Sequence, residues 1–456
     1  MSKLAQKLTL FFLITLLTAC DSSSDDSSTD SNAYFKFYNA SPNSSSSRIY
    51  LDETSYSIVD FSKVSVTYAL TSDDYELSVT RDDIGGDEIE VIQETIDLQN
   101  ETMSVFILTG DIDQPEIIEF NYDTSTLEDL ALDDDDEGDE QFELYIGNFA
   151  TNSSGYDVYL SLADEDFSQA QLVATVNNQS FSDKILKPQE EYILYLTEPG
   201  SSEVIFQTST IYLNYLETFM LVIRDNFGPS NLAVDRITSG SVISSYLDID
   251  AETEIQFYNS NQGISAVDIY LDNTNSEPMV ENLESGQLSN ELLIDKGTYT
   301  INTTITGQAE NYVLRNLLLN LNEGESKTVV LYTDSDAQAQ GIAFSQHTRP
   351  LAYENSLTVV NLASEEDTID IYFVENDETI NSTDNYIKSV DFAEPKKLSL
   401  VQQEYQIYIT TEDDNGSERL LYQSAPMTLD ANENYIIFIE PDVEEFSGYT
   451  INIIKE

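Results

Sequence analysis

The chain of 456 residues contains one cysteine, one histidine and no tryptophan. A disulfide needs a second cysteine, and a structural zinc site needs several Cys and His ligands, so counting excludes both. Catalysis through a Ser-His-Asp or Cys-His arrangement would depend on His347, which stands in a predicted linker beside Thr348-Arg349-Pro350. The sequence also has no Gly-x-Ser-x-Gly motif and no glycine-rich phosphate loop. We therefore expect that the protein is not an enzyme.

Positive charge is also scarce. The chain has 19 Lys and Arg residues and 84 Asp and Glu residues, which gives a net charge of −65 at pH 7. A surface this negative repels nucleic acids and anionic lipid headgroups, so we expect no nucleic-acid partner. Hydrophobic residues nevertheless make up 40% of the chain and aromatic residues 11%. This apolar content is too high for a wholly disordered chain and predicts folded domains.

The N-terminal segment has the pattern of a secretory signal. Lys3 and Lys7 form a basic start, and the apolar run at residues 8–17 is too short to span a bilayer as a helix. The sequence Leu17-Thr18-Ala19-Cys20 then resembles the lipobox of bacterial lipoproteins. The resemblance implies that residues 1–19 are cleaved off and that Cys20 carries acyl chains that anchor the protein in a membrane. An ordinary signal peptide with a chance cysteine is the alternative.

The residues around and after Cys20 are expected to form an acidic, Ser-rich tether at 20–33, because residues 21–32 are all Asp, Ser, Thr or Asn. Asp21 resembles the inner-membrane retention signal of some lipoproteins. We therefore expect a lipid-anchored protein of the bacterial cell envelope. Asp21 favours the inner membrane, and the outer membrane stays open.

The rest of the chain repeats one pattern four times, and each copy carries three signatures in the same order. In the first signature, an apolar strand ends in Asn and is followed by a polar loop and a strand with a central Tyr. The strand-ending residues are Asn39, Asn148, Asn259 and Asn361. In the third signature, a Leu precedes a polar stretch and then an uninterrupted apolar strand. These leucines are Leu98, Leu213, Leu321 and Leu429, at spacings of 115, 108 and 108 residues (213 − 98, 321 − 213 and 429 − 321).

In the second signature, a Tyr opens a strand after a polar turn. The four positions are Tyr75, Tyr192, Tyr299 and Tyr405. This arrangement resembles the tyrosine corner of Greek-key sandwiches, in which the hydroxyl bonds back to the upstream backbone. A Tyr that merely favours strand structure is the alternative.

The repeated runs are short, rich in β-branched and aromatic residues, and without helical periodicity. They predict an all-β chain of four tandem immunoglobulin-like antiparallel β-sandwiches, each with about seven strands. The predicted sandwiches span residues 34–122, 141–237, 253–345 and 356–456. The predicted linkers span residues 123–140, 238–252 and 346–355.

The copies resemble the domain of unknown function 4397, which occurs in tandem in bacterial envelope lipoproteins. That family usually opens with an apolar strand, His-Ala-Ser-Pro, a polar loop and Val-Asp-Val-Tyr. This chain has Asn39-Ala40-Ser41-Pro42 in the first copy and Val267-Asp268-Ile269-Tyr270 in the third. Asn thus stands where the family often has His. The resemblance implies a β fold in the envelope and assigns no chemistry.

Calcium is the one metal that the acidic runs suggest, because it binds six to eight hard oxygen donors. The candidate ligands are Asp133, Asp135, Glu137, Asp248, Asp250 and Glu252. Neither run has the spacing of an EF-hand, because the twelfth position counted from Asp133 is Leu144. A solvated acidic linker accounts for the same residues, so we expect no resident cofactor and leave calcium open.

The expected function is a non-catalytic spacer, scaffold or adhesion role in the envelope, with an unknown protein or glycan partner. The alternative is a glycan-binding module, which exposed tyrosines at loop tips would support and the lack of tryptophan weakens. A hydrolase would need a deep cleft with converging carboxylates. Aromatic platforms, clefts or the absence of both in a structure would separate these functions.

Overall fold

The computed structural model of the chain describes residues 32–82, 87–127, 140–412 and 416–456. Strands make up 59% of these described residues and helices 1%, arranged as several separate sheets. The prediction of an all-β chain of tandem sandwiches is therefore confirmed. The predicted signal peptide and almost all of the predicted tether lie outside the described residues.

The first two sandwiches are built from strands β1 to β19. The first consists of β1 (Asn32–Asn39), β2 (Ser47–Leu51), β3 (Thr54–Val59), β4 (Tyr68–Thr71), β5 (Asp73–Asp82), β6 (Glu88–Leu98), β7 (Thr102–Thr109) and β8 (Glu116–Asp123). The second consists of β9 (Gln141–Asn148), β10 (Tyr156–Leu162), a short 3-10 turn (Phe167–Gln169), β11 (Gln171–Val176), β12 (Ser180–Phe181), β13 (Ile185–Pro188), β14 (Glu190–Thr197), β15 (Val204–Gln207), β16 (Ile211–Leu213), β17 (Thr218–Asp225), β18 (Leu232–Ile237) and β19 (Ser244–Leu247).

The last two sandwiches are built from strands β20 to β37. The third consists of β20 (Thr253–Ser260), β21 (Ala266–Leu271), β22 (Val280–Glu284), β23 (Gln287–Leu288), β24 (Leu292–Ile294), β25 (Gly297–Ile305), β26 (Tyr312–Leu321), β27 (Ser326–Thr333) and β28 (Ala339–Ser345). The fourth consists of β29 (Glu354–Asn361), β30 (Thr368–Val374), β31 (Tyr386–Asp391), β32 (Pro395–Val401), β33 (Glu404–Glu412), β34 (Glu418–Gln423), β35 (Met427–Thr428), β36 (Tyr435–Pro441) and β37 (Tyr449–Lys455).

All four sandwiches share one topology. In the first, one sheet has the order β4-β1-β7-β8 and the facing sheet the order β3-β2-β5-β6. The antiparallel pairing that the sequence predicts is present, and one parallel pair per sandwich adds to it. These parallel pairs are β1 with β7, β9 with β17, β20 with β27, and β29 with β36. Since parallel strands point the same way, the loops that follow both strands leave the sheet at the same edge.

The four predicted tyrosine corners are confirmed. In each, the hydroxyl donates a hydrogen bond to the backbone carbonyl four residues upstream. The bonds run from Tyr75 to Thr71 (2.9 Å), from Tyr192 to Pro188 (2.9 Å), from Tyr299 to Asp295 (2.8 Å) and from Tyr405 to Val401 (3.2 Å). The contact fixes the turn that leads into β5, β14, β25 and β33, as the signature suggests.

Two of the predicted linkers carry more structure than expected. The segment 238–252 contains β19, which pairs with β18 and extends the second sandwich. A run of four residues gives too short an alternation to be recognised as a strand from sequence. In the segment 346–355, Ala352 and Tyr353 pack against the core of the first sandwich, and β29 begins within it at Glu354.

The sandwiches pack in pairs, face to face. In the uninterrupted apolar strand β7, Phe106 and Leu108 belong to the core of the first sandwich. The alternate residues Val105 and Ile107 join a second cluster that the first and second sandwiches share. Both faces of this sheet are therefore buried, which explains why the strand has no polar alternation. The second sandwich contributes Met220 from β17 to the same cluster.

The third and fourth sandwiches repeat this packing. Val330 of β27 and Ile436 of β36 lie in a cluster between the two sandwiches, and the ring of Tyr258 stacks on Phe438 at 4.0 Å. The Tyr258 hydroxyl donates to Glu440 Oε2 at 2.8 Å. The corresponding position in the first pair is Tyr38, whose hydroxyl donates across the interface to Asp235 Oδ2 at 2.7 Å.

Candidate functional site: a cleft between the first two sandwiches

A cleft of about 1050 Å³ opens where the first and second sandwiches meet. Its walls are the ends of the parallel strands and the loops that follow them, at residues 42–43, 109–111, 150–153 and 225–232. The second linker contributes Asp248 and Ala251, and the third contributes Pro350. The shared edge of each parallel pair thus brings two loops per sandwich to one place.

The repeated Asn of the first signature shapes two of these loops. Asn39 is fully buried, and its Oδ1 accepts a hydrogen bond from Ser41 N at 3.0 Å while its Nδ2 donates to Val59 O at 3.1 Å. In the second sandwich, Asn148 Oδ1 accepts from Ala150 N at 3.2 Å. The same contact is made by Asn259 and Asn361. Asn39 and Asn148 are therefore positioning residues, buried beneath the cleft wall, and Asn259 and Asn361 shape the equivalent loops of the other two sandwiches.

The two loops that the second sandwich contributes are joined by a carboxylate. Asp225 accepts hydrogen bonds from Thr151 N at 3.0 Å and Thr151 Oγ1 at 2.8 Å. Within the second loop, Asn226 Nδ2 donates to Ser230 O at 2.8 Å. Gly228 in the same loop has φ of +99°, and a Cβ there would meet Ser326 Oγ of the third sandwich at 3.0 Å. The loop therefore needs glycine both for its backbone and for its approach to the third sandwich.

The third linker fastens the loop of the first sandwich. Arg349 Nη1 donates to Ser44 O at 2.7 Å and to Pro42 O at 3.2 Å, and its guanidinium lies 4.8 Å from the ring centre of Phe61. Burial lowers the pKa of Arg349 to about 10, so the side chain stays charged at pH 7. Its charge is directed to backbone carbonyls and is not part of the cleft lining.

The lining combines polar and apolar side chains and contains no Lys, Arg or His among the described residues. Its amide and carboxylate side chains are Asn43, Asn152, Asn178, Gln179, Asn226, Asn231, Asp111, Asp225 and Asp248. Half-buried rings of Tyr156 and Phe227 add apolar surface. The arrangement can exchange hydrogen bonds with a polar ligand, and it offers no positive charge to an anion.

The predicted calcium ligands divide into two groups. Asp133, Asp135 and Glu137 lie outside the described residues, as does Cys20. Of the other three, Asp248 reaches the cleft, where its Oδ1 accepts from Gln207 N at 3.3 Å and Asp250 N at 3.2 Å. Burial is the main cause that raises the pKa of Asp248. In the described ranges, no three acidic, His or Cys side chains gather as a metal site would require.

His347 is not part of the cleft lining. Burial, together with the charges of Lys397 and Arg349, lowers its pKa to about 4, so the imidazole is neutral at pH 7. Its Nε2 is buried and has no hydrogen-bond partner among the described residues. A nucleophile activated by this histidine is therefore not seen in the described part of the chain.

Sequence reasoning missed the cleft, although part of the signal was present. The first signature marks the loops after Asn39 and Asn148, and the third marks strands β7 and β17 whose ends form the other walls. What the repeats do not show is that β1 and β7 are parallel, or which sandwiches pack together. Both facts are needed to bring the four loops to one place.

A family of unknown function matches part of the chain. The model of the domain of unknown function DUF4397 matches residues 253–372, which cover the third sandwich, strand β29 and most of strand β30 of the fourth. The resemblance noted in the sequence is supported there. No significant match is found among curated protein sequences. Among the described residues, no helix is both long enough and apolar enough to cross a membrane.

Similar solved structures are distant. They include the TIE protein of Bacillus anthracis, at 11% identity and a TM-score of 0.16, which covers 89% of this chain and 67% of its own. CBMbc of family CBM26 from Eubacterium rectale Amy13K, in complex with maltoheptaose, has 14% identity and a TM-score of 0.15, over 45% of this chain and 97% of its own. The Bacillus cereus major pilin subunit BcpA has 9% identity and a TM-score of 0.15, over 66% and 99%.

Proposed function

We propose that the chain is a lipid-anchored, non-catalytic binding protein of the bacterial cell envelope, and that the cleft between its first two sandwiches holds the ligand. The observation that carries the proposal is the composition of the cleft. Two sandwiches and two linkers supply its walls, and buried Asn side chains fix its loops. A spacer is less favoured, because the sandwiches pack in pairs and not end to end.

The anchor in this proposal is Cys20, supported by the sequence Leu17-Thr18-Ala19-Cys20. The substitution Cys20→Ser removes the thiol that would be acylated. We expect it to abolish labelling by a fatty-acid analogue and to release the protein from membranes, because the proposed acyl chains are attached through this residue. Unchanged partitioning into membranes would overturn this part of the proposal.

Ligand binding in the cleft can be tested before the ligand is known. Asn152 is exposed in the cleft lining, and Asn381 is exposed in the fourth sandwich, outside the lining. Asn152→Cys and Asn381→Cys give matched variants for labelling with a maleimide, and the parent chain, whose only thiol is at Cys20, sets the background.

In isolated envelopes, an occupied cleft should protect position 152 relative to the purified protein, and position 381 should be unaffected. A protection of about fivefold corresponds to a ligand concentration of about four times Kd. If position 152 is labelled as fast in envelopes as in the purified protein, as position 381 should be, the cleft is empty and the binding function is refuted.

A further inference from the structure

The charge of the cleft restricts the class of ligand. Its lining contains the carboxylates of Asp111, Asp225 and Asp248 and no cationic side chain among the described residues. A phosphate, sulfate or uronic acid would find no positive partner there and would meet the field of a chain with a net charge of −65. The ligand is therefore neutral or positively charged.

The carboxylates are already engaged by donors of the protein. Asp225 accepts from Thr151, Asp248 accepts from the backbone N–H groups of Gln207 and Asp250, and Asp111 Oδ1 accepts from Asp113 N at 2.9 Å. Each of these bonds occupies an acceptor site of a carboxylate, so fewer sites remain for the ammonium groups of a ligand. This favours a neutral ligand over a polyamine.

The free hydrogen-bonding capacity of the cleft lies in its amides. The side chains of Asn152 and Asn231 are exposed in the lining and make no hydrogen bond within the described part of the chain. Asn178 Nδ2 donates to Ala150 O and Ser153 O, both at 3.1 Å, which leaves its Oδ1 available. An amide offers both donors and an acceptor, and so does each hydroxyl of a sugar.

The size of the cleft suits a short oligosaccharide, and its sheet edge disfavours a peptide. A volume of about 1050 Å³ matches the upper end of the range for small-molecule sites, about 300–1,000 Å³, and leaves room for more than one sugar unit. A peptide that adds to a sheet would use the edge of β15 at this cleft. There, Ile249 N already donates to Gln207 O at 2.8 Å, so the second linker occupies part of that edge.

We infer that the cleft binds a neutral, hydroxyl-rich oligosaccharide through the amides of Asn152 and Asn231 and the rings of Tyr156 and Phe227. This inference rests on the proposed function and names its ligand class. The aromatic rings supply apolar surface for the carbon faces of the sugar, and the amides bond to its hydroxyls. The substitutions that test it are Asn152→Ala and Asn231→Ala, with Asn381→Ala as the matched control outside the cleft.

The experiment is calorimetric titration of the purified full chain with maltoheptaose, cellohexaose and chitohexaose, with oligogalacturonate as the anionic probe and spermidine as the cationic probe. We expect one or more neutral oligosaccharides to bind. Each Asn→Ala change in the cleft should weaken that binding about three- to tenfold, the usual range for one lost hydrogen bond, and Asn381→Ala should leave it unchanged. Binding should also vary little between low and moderate NaCl concentrations.

Several results would overturn the inference. Binding of spermidine alone, weakened by NaCl, or of oligogalacturonate as tightly as the neutral sugars, would show the wrong ligand class. Binding of a neutral sugar that Asn152→Ala and Asn231→Ala do not affect would place it elsewhere. If no sugar binds but position 152 is protected in envelopes, the binding function stands and the sugar class falls. If neither is observed, both fall.

Discussion

The pairwise packing of the sandwiches makes a sharp prediction about the outer faces of their central strands. Ile107 of β7 and Met220 of β17 point away from the cores of their own sandwiches and into the cluster that the two sandwiches share. Replacing a fully buried Ile or Met by Ala usually costs about 2–5 kcal/mol of unfolding free energy, through lost apolar burial and the cavity left behind. We expect Ile107→Ala and Met220→Ala each to fall in that range.

If the sandwiches were independent units, the same side chains would face water, and each substitution would change the free energy of unfolding by no more than about 0.5 kcal/mol. Phe106→Ala is the positive control, because Phe106 lies in the core of the first sandwich itself. Leu318→Ala is the negative control, because Leu318 is 63% exposed. The loss of unfolding free energy expected for Ile107→Ala and Met220→Ala is therefore several-fold larger for paired sandwiches than for independent ones.

Urea unfolding is the suitable assay, because guanidinium chloride would also screen the large negative charge of the chain. Tyrosine fluorescence can follow the transition, since the chain has 28 Tyr and no Trp, and far-ultraviolet circular dichroism gives a second probe. Where the two probes coincide, a two-state free energy is defined, and otherwise the midpoint is compared. A shift for Phe106→Ala with none for Ile107→Ala or Met220→Ala would refute the paired architecture.

Two further predictions concern single side chains. Tyr192→Phe removes the hydroxyl that bonds to Pro188 O and should lower stability by about 0.5–1.5 kcal/mol. Tyr212→Phe, at a 52% exposed side chain, should change stability by less than about 0.5 kcal/mol in the same urea assay, and equal effects would contradict a structural corner. Burial lowers the pKa of Lys36 to about 8, below its ordinary value of 10.5. The unfolded chain therefore binds more protons than the fold between about pH 8 and 10, so stability should rise with pH across that window, and Lys36→Met should abolish the rise. An identical pH profile for the variant would contradict this origin.

The fold class and the repeated local motifs could be predicted from the sequence because each depends on short-range patterns. A Tyr that opens a strand and a hydroxyl that reaches four residues back lie on one segment, so Tyr75 and Tyr405 identify their corners without knowledge of the rest. The strand-ending Asn39 is similar, since its contact with Ser41 spans two residues. Local periodicity and spacing suffice for such features.

The cleft depends on relations that no local pattern records. The parallel pairing of β1 with β7 joins residues about 70 positions apart, for example Phe37 with Phe106. Which sandwich packs against which also depends on contacts between residues that are far apart in the sequence. The unbroken apolar run in β7 did carry one clue, because a strand with one solvated face alternates and a strand buried on both faces does not. Applied to all four copies, that rule indicates a second covering layer, but it does not say which sandwich provides it.

The few cations of the chain explain how such an acidic protein holds its sandwiches together. Lys36 Nζ donates across the first interface to Thr238 O at 2.6 Å, and Arg349 donates to the carbonyls of the loop at residues 42–44. Arg224 pairs with Asp235 at 2.8 Å in the same buried region. Leaving a buried cation without its partners destabilises a protein far more than an exposed ion pair stabilises it. These side chains therefore fix how the first sandwich meets its neighbours. With these cations bonded inside the junction, the lining of the cleft above them is left with amides, carboxylates and rings, and this division of the charges is the ground on which we infer a neutral ligand.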